Sequence, residues 1–277
     1  MIEAQQLAAP AKLNLFLHVI GRRADGFHLL QTAFRLIDLC DRVSLAQRED
    51  GTIRLENDLP GVPAEQNLAV RAAQALKSAA GVRAGATIRI EKRIPMGAGL
   101  GGGSSDAATT LIALNRIWHT GFSRRELATI AVTLGADVPF FLLGRNAFGE
   151  GIGEVLSPLD LAPAWYVVLT PQVAVPTAQI FAAPELTRDA KPIKITAFFN
   201  GFGRNDLEPV VCARYPEVAM HLAWLRHFGD ARMSGSGSSV FAEFASEAEA
   251  QAVVARIPEG MRGFAVRGLD RHPLAVW

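Results

Sequence analysis

Apolar and polar positions alternate from Lys12 to Ile20 (KLNLFLHVI), with Leu13, Leu15, Leu17 and Val19 on one face and Lys12, Asn14, Phe16 and His18 on the other. A period of two predicts a strand, and such a strand sets Lys12 and Asn14 side by side. Strand-like runs follow at Arg42–Leu45 and Thr52–Leu55, the spacing predicts a helix over Gln66–Ala80, and Ala86–Ile94 alternates again. The period then changes to that of a helix, because Ala107, Leu111, Leu114 and Trp118 recur on one face from Ser104 onward. Ser123 and Glu126 form a capping box ahead of Leu127, Ile130 and Leu134, and Gly135 is placed to end that helix. Asp137 stands directly before Val138-Pro139 and the apolar run Phe140–Leu143, at the start of another helix. Gly149–Pro163, rich in glycine and proline, marks a boundary. Trp165–Thr170 opens a second block of strand and helix signals, which includes a second capping box, Ser246 with Glu249, before a helix stopped by Pro258. The pattern predicts two mixed α and β halves, 1–155 and 156–277, with no internal repeat.

Between the strand ending near Ile94 and the helix after Ser104 lies Pro95–Ala108, PMGAGLGGGSSDAA, with glycine at 97, 99, 101, 102 and 103. Glycine reaches positive φ and leaves its N–H uncovered, so this run can wrap backbone donors around an anion, and a helix N-terminus behind it favours phosphate. A flexible turn is the plainer alternative, but a turn needs one or two glycines, not a run. The run lacks the lysine of a Walker A loop. Gly97, Gly99 and Gly102 do spell G-x-G-x-x-G, yet the acid that a dinucleotide fold needs some twenty residues on is missing from Ile117–Phe122. No H-R-D or D-F-G occurs, which argues against a protein kinase. A second loop, Ser234–Val240 (SGSGSSV), suggests a ligand shared between two halves, although alone it reads as a turn between helix and strand.

Composition narrows the field. The chain has 277 residues, 28 basic and 27 acidic, so it presents no broad charge footprint for nucleic acid or an anionic membrane, and any anion is bound locally. Two cysteines, Cys40 and Cys212, cannot form a disulfide framework, which fits a reducing cytoplasm. Glu3 and Lys12 interrupt the first twenty residues, so a signal peptide is not expected, and no apolar run reaches the ~18 residues of a membrane span. The six histidines show no paired metal spacing, so no zinc or iron site is expected.

Three blocks, Pro10–Leu17 (PAKLNLFL), Pro95–Ala108 and Met233–Val240 (MSGSGSSV), together resemble the small-molecule kinases of the GHMP superfamily. Arg22–His28 (RRADGFH), Leu30-Gln31-Thr32, Gly135–Pro139 (GADVP) and Phe148–Glu154 (FGEGIGE) narrow the resemblance to its 4-diphosphocytidyl-2-C-methyl-D-erythritol kinase family, over about Ala9–Phe241. The resemblance implies an α+β fold of two domains with the site in the cleft between them. It also implies phosphoryl transfer from ATP, with Mg²⁺, to the 2-hydroxyl of a cytidine-diphosphate-linked methylerythritol. Asp137 would be the general base and Lys12 the charge that holds the reacting hydroxyl. Pro95, Met96, Gly97, Ala98, Gly99, Leu100, Gly101, Gly102, Gly103, Ser104 and Ser105 would wrap the triphosphate. One of Ser104 and Ser105 would help hold magnesium, and Asn67 and Lys92 would lie near the adenosine. Asn14, Thr177, Gly235 and Gly237 would line the acceptor side, and Phe27, His28 and Phe181 would take the cytosine, two rings enclosing one base. Phe27 stands where the family usually has tyrosine, so stacking survives while a phenolic hydrogen bond is lost. Mevalonate, homoserine and galactose kinases share the glycine loops but have no reason for a ring and histidine after Asp25-Gly26. An ATP-binding regulator would have no need of Lys12 with Asp137, and a dehydrogenase would need the missing ribose acid.

Overall fold

The computed structural model describes residues 3–199, 201 and 203–277. In chain order the first half runs β1 (Glu3–Arg22), β2 (His28–Arg48), β3 (Ile53–Leu55), α1 (Leu68–Ala80), β4 (Gly85–Glu91), α2 (Gly102–Ile117), α3 (Arg124–Val132), α4 (Val138–Leu143), β5 (Ala147–Glu150) and β6 (Val155–Pro158). The second runs β7 (Trp165–Leu169), α5 (Thr177–Phe181), α6 (Ile195–Phe199), α7 (Glu208–Arg214), α8 (Pro216–Leu225), β8 (Arg232–Met233), β9 (Val240–Phe244), α9 (Glu247–Val254) and β10 (Gly263–Leu269).

β2 is the axis of the molecule. It pairs antiparallel with β1 along nearly its whole length, and with β4 at 42–48, β5 at 32–34 and β10 at 36–37. Through β10 the chain continues into β7, β9 and β8, so the described strands form one ten-stranded sheet shared by both halves. α1–α4 and the sheet enclose a first core that includes Leu76, Ile88, Leu111 and Phe140. α7–α9 pack on β7–β9 around a second, with Val167, Leu207, Leu222 and Val240.

A third core lies between them and includes Leu13, Phe16, Ala98, Leu100, Tyr166 and Phe241. It contains the apolar residues of the glycine loop, so that loop is anchored from below.

β1 departs from the strict alternation that its sequence predicts. A register shift between Asn14 and Phe16 places one extra residue in the ladder, and such a bulge reverses which face later residues occupy. Leu13, Leu15 and Phe16 therefore join the third core, whereas Leu17 and Val19 join the second. The expected single apolar face of Leu13, Leu15, Leu17 and Val19 is thus split between two cores.

Helix ends mostly follow their local chemistry. Asn67 caps α1, its side-chain oxygen accepting from Ala69 N at 2.9 Å and Val70 N at 3.4 Å, and Gly81 ends it at φ +65°. The Ser123–Glu126 capping box is formed in both directions. At α9 only half the box forms: Ser246 Oγ accepts from Glu249 N, but the Glu249 carboxylate reaches Ala245 N instead of Ser246 N. Gly135 is not the stop of α3, which ends at Val132 with Thr133 following in right-handed conformation.

The sequence division at 155/156 falls on the first residue of β6, the outer strand of the β5–β6 hairpin. The cores divide elsewhere, because β1 feeds the second core and Leu274, far along the chain, packs in the first. The chain crosses back after β10, where His272 N donates to Gly144 O at 2.8 Å.

Candidate active site

Lys12 is 3% exposed, and its ammonium lies 3.4 Å from a carboxylate oxygen of Asp137. Burying an ammonium is costly unless it is paired, and two further groups, Asn14 and Phe34, meet that need. Asn14 Oδ1 accepts from Lys12 Nζ, the Phe34 ring lies 5.8 Å from it, and Gly101 passes so close that a Cβ there would stand 3.0 Å from Lys12 Cγ. Asn14 is held in turn, its amide donating to Thr32 Oγ1 at 2.8 Å and Thr32 donating to Phe16 O. On the other side, Asp137 precedes α4 without capping it: among the described residues no backbone N–H of α4 bonds to its carboxylate, which turns to Lys12 instead. Proline at the second helical position makes a cap unnecessary there, since Pro139 has no N–H to satisfy.

The glycine loop alternates in two directions. Gly97, Gly99 and Gly101 have φ of +69°, +74° and +72° and face the cavity, while Ala98 and Leu100 turn into the third core. Left-handed φ at three alternate positions is what requires glycine here. The second loop closes on the first. Ser239 N donates to Ala98 O at 3.1 Å, Ser234 Oγ donates to Gly99 O at 3.2 Å, and Asn14 N donates to Ser234 Oγ at 3.1 Å. A Cβ on Gly99 would stand 2.4 Å from Ser234 O, so the contact between the loops admits no side chain. Asn205 carries the second loop from below, donating to Met233 O at 2.8 Å and Gly235 O at 2.7 Å.

At the far end, Phe27 is 58% exposed on the β1–β2 turn, and His28 lies with its ring 5.0 Å from that of Phe181 at 31°. The two rings lean on each other, and Phe27 supplies the free face. Burial holds the His28 imidazole below its ordinary pKa, and the Arg188 and Arg22 cations push the same way. Thr177 Oγ1 lies 2.7 Å from Ser236 Oγ, tying α5 to the second loop.

One cavity of about 760 Å³ takes in both ends. Its wall includes Lys12, Asn14, Phe27, His28, Gly97, Gly99, Gly101, Ser104, Asp137, Thr177, Phe181, Gly235 and Gly237, so most residues expected from sequence do converge. Several do not reach it. Asn67 is spent on the α1 cap. Lys92 is locked between Asp41 and Asp106, bonding the latter at 2.9 Å, so its charge is already answered beneath the loop. Burial pushes the Asp106 carboxyl up to about 7, against the pull of Lys92. Ser105 is fully buried on the inner face of α2, which leaves Ser104 as the serine on the cavity wall. Pro95, Met96, Gly102 and Gly103 are outside the lining, with Met96 half exposed beside the entrance to the loop.

Phe34, Asn205 and Arg188 were not singled out in the sequence, and Arg22 and Thr32 were visible only as parts of blocks. Asn205 and Arg188 act through contacts made far along the chain, and neither period nor spacing carries that signal.

Comparison with known proteins gives a consistent result. The family model described as "GHMP kinases N terminal domain" matches residues 67–145, and that for "GHMP kinases C terminal" matches 182–263. The 4-diphosphocytidyl-2-C-methyl-D-erythritol kinase of Aromatoleum aromaticum is 60% identical, over 97% of this chain and 95% of that protein. That of Thiobacillus denitrificans is 59% identical, over 98% of each. A crystal structure of 4-(cytidine 5′-diphospho)-2C-methyl-D-erythritol kinase superposes with a TM-score of 0.80 at 37% identity, covering 96% of this chain and 99% of that one. With these similarities spanning nearly the whole chain and the two glycine loops meeting over Lys12 and Asp137, the chain belongs to the 4-diphosphocytidyl-2-C-methyl-D-erythritol kinase family of the GHMP kinases.

Proposed function

We propose that this chain transfers the γ-phosphoryl group of ATP to the 2-hydroxyl of 4-diphosphocytidyl-2-C-methyl-D-erythritol, giving the 2-phosphate and ADP in the non-mevalonate isoprenoid pathway, with Asp137 as general base and Lys12 beside it. The observation that carries the assignment of roles is the 3.4 Å approach of Lys12 and Asp137 at the mouth of the phosphate loop. A tertiary alcohol is a weakly acidic nucleophile, so the reaction gains from a carboxylate that takes its proton and an ammonium that stabilises the alkoxide. The new O–P bond forms at the acceptor oxygen, the bond from the γ-phosphorus to the bridging oxygen breaks, and ADP leaves. Phosphoryl transfer otherwise depends on alignment and neutralised charge. Backbone N–H groups of Gly97–Gly103 at the start of α2 meet the triphosphate, and the buried Lys12 is held in place by Asn14 and Phe34.

Mg²⁺ fits the donor set. Among the described residues no cluster of three or more His, Cys, Asp or Glu exists that would hold a metal by protein groups alone. Magnesium with a nucleotide typically takes one or two protein oxygens and the phosphates. Ser104 Oγ, on the cavity wall, is the oxygen that would hold it, and the ion would neutralise charge on the β and γ phosphates.

At the other end Phe27 stacks on the cytosine while His28 and Phe181 form the opposite side. The acceptor is a small molecule, and no described helix is long and apolar enough to cross a membrane. A cytoplasmic setting agrees with two free cysteines, of which burial raises the Cys40 thiol to about 11. The test is ATP consumption with Mg²⁺ and the cytidine compound, with mevalonate, homoserine and galactose in parallel. Turnover with the cytidine compound alone is the expected outcome; ATP binding with no acceptor phosphorylated overturns the reading.

A further inference from the structure

Arg188 sits behind the cavity wall and not on it, between α5 and the β1–β2 turn. Its Nη1 donates to Leu186 O at 3.0 Å, its Nη2 donates to Phe181 O at 3.0 Å and Ala183 O at 2.6 Å, and its Nε donates to His28 Nε2 at 3.1 Å. Three of these partners are carbonyls at and beyond the C-terminal end of α5, where helical C=O groups lack partners and a cation is favoured. The fourth is a ring nitrogen of another element, reached across 160 residues of chain.

That fourth bond decides a proton. A guanidinium N–H only donates, so His28 Nε2 must present its lone pair, and a neutral imidazole then carries its hydrogen on Nδ1. His28 Nδ1 makes no hydrogen bond among the described residues, and the side chain lines the cavity. Burial, and after it the Arg188 and Arg22 cations, lower the imidazole's pKa and so oppose a second proton.

We propose that Arg188 is a positioning residue for base recognition: it fixes His28 in the Nδ1-protonated form, so that the cavity offers a pyrimidine a hydrogen-bond donor and not an acceptor. Cytosine carries acceptors at N3 and O2, which suit that donor. Uracil carries a hydrogen on N3, and there a donor would meet a donor. The bond therefore turns a stacking site that accepts any base into one that prefers cytosine. This rests on the cytidine reading of the site given above.

The test combines long-range ¹H–¹⁵N spectra of the histidine rings with binding of cytidine and uridine 5′-diphosphates, the phosphate loop being occupied by a non-hydrolysable ATP analogue. Wild-type protein should show His28 protonated on Nδ1 and should prefer the cytidine nucleotide. Arg188→Met should lose that spectral signature and bind the cytidine nucleotide about tenfold more weakly, the size of one hydrogen bond in a partly dry site, with little change for the uridine one. In turnover the same variant should raise KM for the acceptor with kcat and KM for ATP unchanged, and Arg188→Lys, which keeps one donor for His28, should recover part of the preference. If Arg188→Met weakens both nucleotides equally and leaves the tautomer in place, Arg188 only staples α5 and the proposal is overturned. An Nε2-protonated His28 in a wild-type protein that still prefers cytidine overturns it too, while leaving the cytidine reading intact. A wild-type protein with no cytidine preference overturns both.

Discussion

The phosphoryl end and the base end of the same cavity are built by opposite means. At the phosphoryl end Lys12 is 3% exposed, two loops hydrogen-bond to each other, and their meeting point has no room for a methyl group. At the base end Phe27 is 58% exposed, and His28 and Phe181 touch through one tilted ring contact and share one arginine. A group that must stabilise developing charge gains from being dry and fixed in advance. A group that stacks on an incoming base gains from an open face, because the base itself supplies the missing partner. Rigidity is placed where charge develops, and openness where the ligand enters.

Removing the carboxylate at the rigid end should have the largest effect. Asp137→Asn is expected to lower kcat by ~10² to 10⁴, about 3 to 5 kcal/mol, while ATP affinity stays nearly intact. Steady-state kinetics with a separate ATP-binding titration check this; turnover like wild type would remove Asp137 from the mechanism. Next comes Gly99→Ala, whose Cβ would stand 2.4 Å from Ser234 O at a φ of +74°. Both the clash and the left-handed backbone oppose it, so thermal unfolding should show a loss of at least about 2 kcal/mol together with weakened ATP binding. Gly97→Ala is the control: its φ is +69° but nothing lies within 4 Å of the new methyl, so only the conformational cost of about 1 kcal/mol should appear. Equal losses for the two would mean that the loops do not meet as described.

At the open end Phe27→Ala should cost ~1 to 3 kcal/mol in acceptor binding, seen as a higher KM for the cytidine compound with kcat and protein stability unchanged. A large loss of stability instead would mean that Phe27 is structural and the contrast between the ends false. The smallest effect on turnover concerns the charges under the phosphate loop, which act on stability. Burial raises the folded Asp106 carboxyl to about 7, above an unfolded value of about 4, so the folded state holds its proton more tightly. Stability therefore falls as pH rises from about 4 to about 7, by at most about 1.4 kcal/mol per pH unit. Urea midpoints across that range should show the slope, and Asp106→Asn should flatten it.

The rigid end is also the more legible one. Gly97–Gly103 announces an anion cradle through residue type alone, because three alternating left-handed φ values demand glycine, and the alternation about Lys12 and Asn14 puts both on one side of a strand. The partnership of Lys12 with Asp137 was reachable through the family resemblance. Lys92, expected near the adenosine, is enclosed by Asp41 and Asp106, a pairing that only the fold makes visible. Asn67, expected near the adenosine, also caps α1 through its side-chain oxygen. Asn205 and Arg188 left no trace in the pattern, because Asn205 satisfies carbonyls, and Arg188 reaches a histidine ring, brought near only by folding.

By itself the sequence determined the elements with local causes: the cap at Ser123, the strand of Lys12, the helix behind the glycine run and the mixed α and β class. These follow from hydrogen bonds and φ preferences within a few residues of each other. The tertiary structure alone decided the bulge that divides β1 between two cores, the single sheet that carries both halves, the place of Ser104 on the cavity wall with Ser105 buried, and the approach of Arg188 to His28. Each of those depends on a partner on another element of the fold, and a local pattern holds no information about a contact that exists only once the surfaces have been brought together.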